Sequence, residues 1–78
     1  MRQASLAEPA VLTARQRDIL DLIVEGESNE RISQLLRISN RTVAVHVSDI
    51  LKRSGAASRT VLAVDELRRR LGGPQPAE

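Results

Sequence analysis

Four hydroxyl-bearing residues, Thr13, Ser28, Ser39 and Ser58, each stand directly before a segment whose apolar residues recur at helical spacing. A side-chain oxygen in that position accepts one of the backbone N–H groups that the first turn of a helix leaves unpaired, so each reads as an N-cap. Thr13 gives the fullest signal, because Gln16 three residues later completes a capping box. Ile19, Leu20, Leu22 and Ile23 then supply an apolar stripe, and Gly26 is a natural stop. Ser28 opens a short second segment with Ile32, Leu35 and Leu36 on one side, and Glu30 in its first turn suits the helix dipole. Ser58 opens a fourth, in which Val61, Leu62, Val64, Leu67 and Leu71 are more apolar positions than one stripe requires. That surplus is either core or a second face for another subunit.

The third segment is ambiguous at first sight. Val43, Val45 and Val47 alternate with Ala44 and His46, the pattern of a half-exposed strand. The alternation ends at Val47, whereas Val43, Val47, Ile50 and Leu51 lie within about 100° of one another around a helix. With Ser39 before it and Gly55 after it, the segment is expected to be helical. Its outward face then holds Arg41, Val45, Ser48 and Lys52, flanked by Ala44 and Asp49. The expected fold is all-α: a compact four-helix domain with helices at roughly 14–25, 29–36, 40–53 and 59–71. Only Arg37 to Ser39 separate the second and third helices, the length of a helix-turn-helix link, with Ile38 as an apolar peg. The domain is expected over 12–71, with tails of disordered composition at 1–11 and 72–78.

With 78 residues the chain supports one small domain. It has no cysteine and one histidine, which leaves no disulfide, thiolate or histidine-rich metal site. Metal or general-base work at His46 lacks any assisting ligand or nucleophile, so neither an enzyme nor a cofactor is expected. No aromatic residue is available for base stacking. No apolar run approaches the ~20 residues of a membrane span, and a soluble cytoplasmic protein is the expectation.

Charge is unevenly distributed. Residues 1–30 carry three arginines against six carboxylates, whereas residues 31–59 carry Arg31, Arg37, Arg41, Lys52, Arg53 and Arg59 against Asp49 alone. A basic middle segment fits contact with a polyanion, or else a solvated surface. Joined to a tight-turned helix pair, it fits a helix laid in the major groove of duplex DNA. Arg41, Lys52 and Arg53 are then candidates for phosphate contacts, assisted by Ser28 and Thr42 near the N-termini of the second and third helices. Val45, and Ala44 beside it, can meet thymine methyl groups.

The span Leu12 to Val64 resembles the LuxR/NarL-type, or GerE-type, helix-turn-helix domain. The marks are LTxR at Leu12, Thr13 and Arg15; GxSN at Gly26, Ser28 and Asn29; ISxxTVxVH from Ile38 to His46; Ile50-Leu51; and GxxSR from Gly55 to Arg59. Region four of sigma factors shares part of this pattern, but the GxxSR ending favours the LuxR type. The resemblance implies the DNA-binding domain of a bacterial transcription regulator whose third helix reads the major groove. Ala44, Val45 and Ser48 would contact bases. Ser28, Asn29, Arg41, Thr42, His46, Lys52 and Arg53 would contact the backbone. The resemblance further implies a homodimer through the fourth helix, with Val61, Val64, Asp65 and Arg68 at the interface; RNA polymerase is a further candidate partner. The chain is then either a small self-contained regulator or the end of a longer one.

Four departures from the family pattern bear on function. Alanine stands at position 44, where lysine is common, and Ser48 replaces a residue often basic or polar. Gln16 stands where an acidic residue is usual, and Arg53-Ser54-Gly55 replaces KLG. Losing the lysine removes a strong guanine contact, and Asp49 would oppose phosphate if turned toward it. A protein-interaction module on the same fold is the alternative function.

Overall fold

The computed structural model describes residues 12–72, so the expectations for 1–11 and for 73–78 lie outside the described residues. Four helices follow in order: α1 (Ala14–Val24), α2 (Asn29–Leu36), α3 (Asn40–Ser54) and α4 (Arg59–Arg70). All four hydroxyl residues cap as expected, accepting from the backbone N–H of Gln16, Arg31, Thr42 and Val61 respectively. Each such cap stabilises its helix by about 1 kcal/mol. The capping box is complete, since Gln16 Oε1 also accepts from the Thr13 N–H at 3.2 Å.

Helix ends depart from expectation by single residues. α1 stops at Val24 with Glu25 as C-cap, α3 runs on to Ser54, and α4 stops at Arg70. Gly26 and Gly55 take the left-handed conformation that closes the last turns of α1 and α3. Arg37 does the same after α2 at φ 59°, where a Cβ is disfavoured. The Ile38 N–H bonds back to the Ser33 carbonyl at 3.1 Å, which folds the chain sharply and turns Ile38 onto the core.

α3 is the central element, packed on α1, α2 and α4, while α4 also packs on α1. Ile19, Leu20, Ile23, Ile32, Val43, Val47, Ile50 and Leu62 form the buried core. The valine alternation is therefore split: Val43 and Val47 are core, and Val45 is 62% exposed. Leu35 shares the side of α2 that carries Ile32 and Leu36, as its spacing requires, but stays 44% exposed at the edge of the core.

A candidate nucleic-acid interface on the third helix

The outward face of α3 borders an open recess of about 540 Å³. Ala44, Val45, Ser48 and Lys52 line it together with Arg41, His46 and Asp49, and Gln16 joins them from α1. The three expected base-contacting residues, Ala44, Val45 and Ser48, thus share one exposed surface. Arg41 and Lys52 stand on it with no carboxylate partner among the described residues, whereas Arg53 is paired with Asp49 at 2.9 Å. His46 is half-buried beside them.

The remaining expected backbone contacts are set by helix starts. Ser28 Oγ accepts from the Arg31 N–H at 3.1 Å, which leaves its own proton free to donate outward. Thr42 Oγ1 accepts from Ser39 Oγ at 2.9 Å and likewise retains its proton. Asn29 is more committed: its Oδ1 accepts from Arg59 Nη1, while Arg59 Nη2 donates to the Glu27 carbonyl at 2.6 Å. Arg59 is thus a strut between the start of α4 and the loop before α2, and its charge does not belong to the open basic face. Arg31 and Arg37 are exposed without a carboxylate partner among the described residues, and they join Arg41 and Lys52 as uncommitted cations of the basic segment.

Asp49 does not stand bare toward a ligand. Gln16 Nε2 donates to its Oδ2 at 2.7 Å and Arg53 Nε donates to the same oxygen at 2.9 Å. The Gln16 hydrogen bond, with help from the Arg53 charge, holds the Asp49 carboxyl below the usual carboxylate range despite partial desolvation. Sequence spacing exposed the capping box but not this second use of Gln16, because its partner lies on another helix 33 positions away. Ser54, standing where the pattern usually has leucine, stitches the end of α3: its hydroxyl donates to the Leu51 carbonyl and accepts from the Ala56 N–H, both at 3.3 Å.

Val61, Val64 and Leu67 on α4 and Leu71 at its C-cap are all exposed, and Asp65 and Arg68 lie exposed on the same helix. Of the apolar positions that were open between core and a second face, only Leu62 is buried.

A tight-turned helix pair whose second helix presents an open, cation-bearing face defines a helix-turn-helix DNA-binding domain. Residues 10–65 match the family model described as bacterial regulatory proteins, luxR family, and the chain belongs to that family. It is 47% identical over 53 residues to the nitrate/nitrite response regulator protein NarL of Escherichia coli (strain K12), covering 68% of this chain and 24% of that protein. It is 36% identical over 61 residues to NarP, a nitrate/nitrite response regulator of the same organism, covering 78% of this chain and 28% of NarP. An uncharacterized transcriptional regulatory protein of Bacillus subtilis (strain 168), YhcZ, is 40% identical over 62 residues, which are 80% of this chain and 29% of that protein. The chain therefore spans less than a third of the length of these relatives. It carries the DNA-binding domain of a bacterial transcription regulator. Among the described residues, no helix is long and apolar enough to cross a membrane.

Proposed function

We propose that the chain binds duplex DNA sequence-specifically, with α3 in the major groove and two copies joined through α4 on a two-part site. The observation that carries this reading is the exposed Val45, set beside Ala44 and Ser48 on a face whose Arg41 and Lys52 have no carboxylate partner among the described residues. Water is a poor neighbour for the valine, but a groove that presents thymine methyl groups among polar base edges accommodates it. The two cations supply affinity by releasing counterions from phosphates. With alanine rather than lysine at 44, discrimination shifts from guanine acceptors to methyl and hydroxyl contacts. Ser28, Asn29, Thr42, His46 and Arg53 support the backbone contacts, and Val61, Val64, Asp65 and Arg68 form the interface between copies. The setting of this activity is the bacterial cytoplasm, at the nucleoid when bound, with RNA polymerase as a further partner.

Arg41→Ala and Lys52→Ala test the face directly. Each is expected to weaken binding to all duplexes and to lower the slope of log affinity against log salt by about one unit. Affinity and slope indifferent to both substitutions would remove α3 from the interface.

A further inference from the structure

Asp49 follows Ser48 on α3, lies one helical turn beyond Val45 and borders the same recess. Its side chain is 39% exposed, yet one of its two oxygens is fixed: Gln16 Nε2 and Arg53 Nε both donate to Oδ2. No donor among the described residues reaches Oδ1. Gln16 is itself buried, and its Oε1 is held by the Thr13 N–H, so the pin comes from an immobilised side chain and not a free rotor. Glutamine suits position 16 for this reason, since it accepts from the cap and donates to Asp49 at once; glutamate would set two carboxylates against each other. Arg53 offsets the carboxylate charge that a polyanion would otherwise repel. The result is a carboxylate held by one oxygen, its other oxygen unclaimed among the described residues, at the border of the face proposed to meet bases.

An ionised carboxylate requires a donor. Phosphates offer none, and guanine and thymine present only acceptors and a methyl group in the major groove. Adenine offers its N6 amine beside the N7 acceptor, which opposes a carboxylate, whereas cytosine offers its N4 amine alone. We infer that Asp49 is a specificity-determining residue that accepts a hydrogen bond from the N4 amino group of a cytosine, with Gln16 as its positioning residue. The inference rests on the DNA reading above.

The test uses the full 78-residue chain. A bound half-site is selected from random duplexes, and each base pair of it is then varied in turn. At one position the unaltered chain is expected to prefer C·G about tenfold over the other pairs, a preference that Asp49→Ala reduces to less than about twofold while other positions keep theirs. Asp49→Asn is expected to move that preference toward A·T, because an amide both donates to N7 and accepts from N6. Gln16→Ala is expected to weaken the same preference, whereas Thr13→Ala, which damages the same helix cap without touching Asp49, is expected to keep it. Unchanged preferences in Asp49→Ala and Asp49→Asn overturn the inference. So does a uniform gain of affinity on every duplex, the mark of a carboxylate that merely repelled phosphate. Failure of the unaltered chain to bind any duplex overturns the DNA reading itself, and this inference with it.

Discussion

The outward faces of α3 and α4 both expose valine, yet they present it differently. On α3, Val45 stands among Arg41, Ser48 and Lys52, with only the small Ala44 as an apolar neighbour on that face. Along α4 and at its C-cap, Val61, Val64, Leu67 and Leu71 are 41, 41, 45 and 77% exposed and fall within about 120° of one another at helical spacing. Arg68 lies inside that arc and Asp65 about 40° beyond it. An isolated methyl-bearing side chain on a charged face suits a DNA groove, where thymine methyls are scattered among donors and acceptors. A continuous stripe finds no such match there and suits another apolar surface. Asp65 and Arg68 show no ion pair with each other, although they are three positions apart on one helix, so both charges are available to a facing copy.

The largest expected effect comes from breaking the stripe. Val64→Asp places a carboxylate within it while leaving the core untouched, since Val64 is already exposed. Affinity for a two-part site is expected to fall about a hundredfold as the second binding event ceases to be intramolecular. Gel-shift titration would show one chain per site instead of two, and the unfolding temperature would stay near that of the unaltered chain. Tight two-chain binding by Val64→Asp would assign the stripe to some other partner.

A smaller effect distinguishes α3. Val45→Ala removes methyl groups from the protein, and replacing thymine by uracil removes one from the DNA. Where Val45 meets a thymine, either change is expected to cost about 1 kcal/mol, roughly fivefold in affinity. The two together are expected to cost little more than one alone, because both delete a single contact. Strict additivity at every thymine would mean that Val45 faces none of them. Self-association through α4 should be the same in both proteins.

The parts of this architecture legible in the sequence were those written locally. Thr13, Ser28, Ser39 and Ser58 announce the helix starts because an N-cap acts within three residues of itself. The period of Val43, Val47 and Ile50 outweighs the two-residue alternation because it persists to the end of the helix. Partners distant in the chain left no such trace. The commitment of Arg59 to Asn29 and to the Glu27 carbonyl, and that of Gln16 to Asp49, depend on how α1, α2, α3 and α4 cross. Charge along the sequence therefore places Arg59 in the basic segment and Asp49 against it, although in the fold neither stands alone. Helical spacing likewise gives the side of α2 on which Leu35 stands, but not its 44% exposure.

The smallest effect concerns the turn that joins the two functional helices. Arg37 holds φ 59° there and is the only non-glycine residue with positive φ among those described. Its exposed side chain has no ion pair in the described part of the chain to offset the strain. A Cβ in the left-handed region costs about 1 kcal/mol, and glycine returns about half of that as extra unfolded-state entropy. Arg37→Gly is thus expected to stabilise the domain by about 0.5 kcal/mol in denaturant titration. Arg37→Ala, which keeps the Cβ and loses the same charge, is expected to give no gain, so the difference between the two variants isolates the backbone. Both variants should retain two-chain binding through α4. A lower salt slope in both would add Arg37 to the DNA-facing surface, whereas equal slopes would leave that surface to Arg41 and Lys52.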